Sequence, residues 1–179
     1  MLINRMALAD AQTLAIRKLL SKAAYDSQVA PGPPLPKSHP SPSLIEKLYL
    51  ECASLYTSAR ALVKTPGKAR DADDVLPSLR HYLADEARYC SALAHKWAGV
   101  DGGESGGQKA GQAVAFLQWS KEELEELKGD SKGISIGGKD RKEWKGKVTD
   151  ELTAVSVFLR SYKKLNDSVR AFHLFLTWV

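Results

Sequence analysis

Apolar side chains recur every three to four residues along five stretches of this sequence, and nowhere do they alternate convincingly with polar ones. That pattern argues against sheet and predicts an all-α fold. The first stretch covers residues 3–25, with Leu8, Ala11, Ala15 and Leu19 on one stripe. The second carries Leu44, Leu48, Cys52, Leu55, Ala59 and Leu62, and the third Leu76, Leu79, Leu83, Ala87, Cys90, Ala94 and Trp97. The fourth, residues 105–128, carries Ala110, Ala113, Val114, Leu117, Leu124 and Leu127. The fifth, residues 140–169, carries Trp144, Val148, Leu152, Val155, Leu159, Tyr162 and Leu165. Each stripe can bury against a neighbouring helix.

Local signals place the boundaries. Ser41-Pro42-Ser43 followed by Glu46 combines a serine cap, a first-turn proline and a capping-box carboxylate, so a helix starts there. Asp73 and Asp74 are capping candidates for the third helix, which is expected to end at Trp97-Ala98-Gly99. Between the first two helices, the prolines of residues 29–40 forbid helix and predict an extended, mobile insertion. Residues 64–74 and the Gly/Ser/Lys-rich 129–139 are predicted as further loops.

A chain of 179 residues is the size of one domain, and its 44% hydrophobic content suffices for a core. Arg5, Asp10, Arg17 and Lys18 interrupt the N-terminal run, so no membrane helix is expected. The start also lacks the apolar region of a secretory signal, which predicts a cytoplasmic protein. Cys52 and Cys90 are expected as core thiols, since two cysteines make neither a disulfide framework nor a zinc site. The net charge of +5 speaks first to solubility and non-specific attraction.

Reactive patterns are weak. Gly103-Glu104-Ser105-Gly106-Gly107 matches G-x-S-x-G, but a nucleophile elbow needs a strand before it and a helix precedes it here. Gly137-Gly138-Lys139-Asp140 lacks the rest of a phosphate loop. His39, His81, His95 and His173 show no metal-ligand spacing. Glu122, Glu123, Glu125 and Glu126 read as a solvated face, with an acidic docking site as the sharper alternative. Lys139, Arg141, Lys142, Lys145 and Lys147 form a basic stretch able to meet acidic lipid or nucleic acid. A non-enzymatic binding scaffold without metal or cofactor is expected.

Two patterns are more specific: Ala7-Leu-Ala-Asp-Ala-Gln12, and Ser43-Leu-Ile-Glu-Lys-Leu48 followed by Tyr56. Together they resemble the Bro1 domain family, in which an M-L-A-Q-A-Q helix precedes an S/A-L/I-I-A-K-L helix. Glu86-Ala-Arg-Tyr89, Gly111-Gln-Ala-Val-Ala-Phe-Leu-Gln118 and Lys163-Lys-Leu-Asn-Asp167 continue the family order. The spacing is similar to the fungal PalC-type branch of ambient-pH signalling, and other fungal Bro1 proteins fit nearly as well, so the resemblance implies a role in endosomal sorting or ambient-pH signalling. Residues 1–169 read as the C-terminal half of such a domain, and residues 170–179 as a divergent tail.

The resemblance implies an antiparallel helical solenoid with a tetratricopeptide-like core. Its partner would be the C-terminal amphipathic helix of an ESCRT-III subunit of the Vps32/Snf7 type, bound at endosome or plasma membrane. Carried over residue by residue, the family's apolar anchors fall on Leu44 and Leu48, and its basic positions on Lys18 and Lys109. Ala15 stands where the family has an aromatic. The alternatives are a general helical-repeat interaction module without ESCRT-III binding, burial of Leu44 and Leu48 in the core, and a basic surface for acidic membrane lipid; nucleic acid is not expected as a partner.

Overall fold

A computed structural model describes residues 1–27, 32–64, 76–130 and 138–176, and within them the side chains of all but 23–27, 64, 138–141 and 169–176. Among the described residues five α-helices follow in order: α1 (Leu2–Ser27), α2 (Pro42–Lys64), α3 (Pro77–Glu104), α4 (Ala110–Asp130) and α5 (Gly138–Leu176). No strand occurs among the described residues, as the apolar period requires. Each helix packs on the one before it, and α3 also touches α5. α1 and α2 run antiparallel, as the cross-links Asp10 to Tyr56 and Gln12 to Cys52 establish, and so do α3 and α4, joined from Arg88 to Asp130 and from Ser120 to the Ala92 carbonyl.

α2 begins where the capping signals place it, with Pro42 in the first turn and the Ser41 carbonyl accepting from the Leu44 and Ile45 amides. α3 begins at Pro77 after Leu76; Asp73 and Asp74 lie outside the described residues. The stripes of α4 and α5 are buried largely as expected, with Ala110, Ala113, Leu117, Leu124, Leu127, Val148, Val155, Leu159 and Tyr162 in the core. Leu165 is more exposed than its stripe predicts. The backbone of α5 continues as helix to Leu176, through most of the expected tail.

The expected end of α3 near Gly99 is wrong. The helix continues to Glu104 because its glycines are contact points: a Cβ at Gly99 would lie 2.7 Å from Leu117 Cγ, and one at Gly103 would overlap the Tyr162 ring. α3 therefore lies closer to α4 and α5 than side chains would allow. The turn that ends it uses Gly106 at φ +103°, a conformation that favours glycine. A 3₁₀ turn, Gly107–Lys109, then leads into α4.

The proline-rich stretch also departs from expectation. Its described part, residues 32–40, lies against α3 and α5 instead of swinging free. Leu35 donates its N–H to Glu104 Oε2 at 3.2 Å, and the other oxygen of Glu104 accepts from the Tyr162 hydroxyl at 2.6 Å. His39 lies 5.2 Å from the Trp97 ring, and a Cβ on Gly32 would meet Val157 at 3.2 Å. Prolines prevent helix, but they leave an extended segment free to be held by its neighbours.

Candidate functional site

α1 and α2 form one edge of the stack, and Leu44 and Leu48, the expected anchors, lie on α2. The buried face of α2 is Ile45, Tyr49, Cys52, Tyr56, Ala59 and Val63, a regular three-and-four spacing. The matching face of α1 is Leu2, Met6, Ala9, Thr13, Ile16 and Leu20. The expected stripe of Leu8, Ala11, Ala15 and Leu19 is exposed instead. Polar residues explain the difference: Thr13 is buried because its hydroxyl donates to the Ala9 carbonyl at 2.9 Å, and Asp10 and Gln12 hold cross-helix bonds.

Asp10 accepts from the hydroxyls of Tyr56 at 2.5 Å and Tyr82 at 2.6 Å, so one carboxylate joins α1, α2 and α3. Burial, and then the bond to Asp10, raise both phenols above their ordinary range. Cys52 lies 3.6 Å from Gln12 Oε1 and fixes the register of the pair. Both cysteines are buried free thiols, as expected. The hydrogen bond to Cys52, together with burial, pushes the Cys90 thiol up and keeps it protonated.

Along this register runs a row of partly or fully exposed apolar side chains. Leu44, Leu48 and Leu55 stand eight and four residues before Cys52 and three after it, and Leu62 one heptad beyond Leu55. Leu8, Ala15 and Leu19 stand four before, three after and seven after Gln12. Helical spacing therefore puts both sets on the Gln12–Cys52 side of the pair. Leu44 is 50% exposed, which excludes the reading of it as core, while Leu48 is half-buried against the core. Lys18 is exposed on the outer rim, one position from Leu19. Lys109 is exposed on the turn between α3 and α4, so α3 separates it from this row.

Several charged groups elsewhere are engaged. Glu86 and Lys96 of α3 are buried and pair with Lys147 at 3.1 Å and Glu151 at 2.7 Å on α5. Burial raises the Glu86 carboxyl, and Lys147 opposes the rise. Lys147 also lies over the Tyr89 and Trp144 rings, so part of the basic stretch is structural; the side chains of Lys139 and Arg141 lie outside the described residues. The glutamates of α4 are more than a solvated face. Glu123 pairs with His95, which stacks on Trp119, an arrangement that no spacing rule singles out.

The G-x-S-x-G serine, Ser105, sits at the C-terminus of α3 and donates to the Asp101 carbonyl at 2.7 Å. A helix end replaces the strand-to-helix turn that a nucleophile elbow needs. Among the described residues no group of three metal-ligating side chains comes together, and no helix is long and apolar enough to cross a membrane. The side chain of His173 lies outside them.

These features define an all-helical protein whose most prominent feature is an exposed apolar row on a helix pair. The chain is 38% identical over 205 residues to the pH-response regulator protein palC of Cryptococcus neoformans var. neoformans serotype D (strain B-3501A). That alignment covers 93% of this chain and 42% of the relative, so the chain spans less than half of the relative's length. The chain is a PalC-like protein. No family model and no solved structure matches it.

Proposed function

We propose that this chain is a non-enzymatic adaptor in pH-response signalling, and that its α1/α2 row binds the C-terminal amphipathic helix of an ESCRT-III subunit of the Vps32/Snf7 type. The observation that carries the reading is the half-exposed Leu44, aligned with Leu48, Leu55 and Leu19 on a helix pair whose register Gln12, Cys52 and Asp10 fix. An amphipathic helix offering apolar residues at i, i+3 and i+4 needs such a row, rigid before binding. Lys18 on the rim suits acidic residues beside the partner's apolar face. The 38% identity to a pH-response regulator and the Bro1-like motifs support the same assignment. Lys109 is a contact only for a partner that extends across α3. The adaptor is cytoplasmic and joins endosome or plasma membrane through its partner, with acidic lipid as an auxiliary contact of the α5 lysines.

The experiment is titration of the full chain with the C-terminal helix of a Vps32-type protein. Leu44→Asp is expected to weaken binding about thirtyfold, roughly 2 kcal/mol, with helicity unchanged. Lys18→Glu should weaken it less, and mainly at low salt. A folded Leu44→Asp protein that binds normally would sink the assignment and favour a general helical interaction module.

A further inference from the structure

We propose that the outer face of α4 around Trp119 is a second docking surface, and that it takes a partner segment carrying arginine or lysine. Trp119 is 51% exposed, the most exposed of the described tryptophans. It is nevertheless held in place. Its ring stacks on His95 at 3.9 Å and 19°, and His95 Nδ1 lies 2.8 Å from Glu123 Oε2. Phe116 stacks against the same imidazole at 6.3 Å. A large ring ordered before binding loses little freedom on contact, which is the property of an interface anchor.

Charge identifies the occupant. In a chain of net charge +5, α4 carries Glu122, Glu123, Glu125, Glu126 and Asp130 against only Lys121 and Lys128. Glu122, Glu123 and Glu126 stand three, four and seven residues after Trp119, so they share its face of the helix. Arg88 meets Glu126 and Asp130, yet these side chains remain 69% and 66% exposed. A guanidinium or ammonium over the Trp119 ring would find carboxylates within one helical turn. An anionic lipid headgroup would be repelled. A second copy docked by two-fold symmetry would bring two acidic faces together. The surface lies on α4, beyond α3 from the leucine row, and does not depend on what that row binds.

The probe is a fluorescently labelled amphipathic peptide of leucine, alanine and arginine, compared with the same peptide bearing glutamate for arginine, titrated into the full chain. The overall charge of +5 favours the glutamate peptide, so tighter binding of the arginine peptide reports the local surface. Trp119→Ala is expected to weaken arginine-peptide binding about tenfold, and Glu122→Gln with Glu126→Gln about threefold. If the alanine variant fails to fold, the double glutamine variant decides. Equal or tighter binding of the glutamate peptide overturns the proposal. So does arginine-peptide binding that survives these substitutions, or self-association of the chain that Trp119→Ala abolishes.

Discussion

α1 and α3 are both helices rich in alanine and leucine, yet one is enclosed and the other is not. α3 contacts α2, α4 and α5, and buries residues on every side, including Glu86 and Lys96. α1 packs almost entirely on α2 and leaves Ile3, Leu8, Leu14 and Leu19 exposed. A helix with neighbours all round must match each of them, so its glycines, ion pairs and apolar residues are all committed. A helix with one main neighbour keeps apolar surface in reserve, and that surplus is available to a partner. The contrast predicts that substitutions in the α3 environment cost stability, whereas those at the exposed positions of the α1/α2 row, Leu44 among them, cost binding.

The largest effect is expected at the α3–α5 ion pairs. Lys147→Ala leaves the buried Glu86 carboxylate without its partner, at a cost of about 3 to 5 kcal/mol in chemical denaturation. Glu86→Gln in the same chain should restore much of it. The pair also has a pH signature. Burial raises the folded-state pKa of Glu86 above its ordinary 4.5, so between those two values the native state binds the proton more tightly. Protonation there favours folding: the stability of the wild type relative to Glu86→Gln should rise as pH falls through that window and level off below it. A relative stability that falls on acidification would show that Lys147 dominates burial.

Gly103→Ala is the next largest, about 3 kcal/mol, because the new methyl would occupy the Tyr162 ring and force α3 from α5. Replacing residues 32–40 with a Gly/Ser linker should cost about 1 to 2 kcal/mol, through loss of the partly buried Leu35 and its bond to Glu104. A melting temperature that does not change would return this segment to a free insertion. On the other side of the comparison, Leu48→Asp should destabilise by about 2 kcal/mol, while Leu44→Asp, half in solvent, stays within about 1. Equal losses at both would mean that the row belongs to the core.

The same comparison explains what the sequence revealed. The stripes of α4 and α5 were readable because each buries one broad face. α1 was not, because its apolar residues spread round the helix and its buried face contains Thr13, which is apolar only once its hydroxyl bonds to Ala9. Glycine misleads at the end of α3, since Gly99, where the helix is expected to stop, and Gly103 beyond it serve as points of close approach. Nothing local to residues 32–40 announces that Glu104, some seventy positions on, will hold Leu35. Family resemblance singles out Leu44, Leu48 and Lys18 as contacts; Lys18 lies on α1 and the two leucines on α2, with Leu44 and Lys18 exposed. Lys109 came from the same resemblance and lies across α3, because ordering along a chain does not fix distance across a stack. The Trp119–His95–Glu123 stack joins two helices whose periodicity assigns none of these residues a partner.

The smallest effect is the cleanest test of what distinguishes enclosed from open surface. Gly146 lies in α5, as Gly103 lies in α3, and both are helical glycines at which alanine is intrinsically preferred. A Cβ at Gly146 would meet nothing within 4 Å, and the residue is exposed. Gly146→Ala should therefore show helix propensity alone and stabilise the chain by roughly 0.5 to 1 kcal/mol, a rise of a few degrees in melting temperature. The same exchange thus has opposite signs at two positions in one fold. If Gly146→Ala destabilised the protein as Gly103→Ala should, an unseen surface would have to cover this side of α5, and the division into enclosed and open faces would have to be redrawn there.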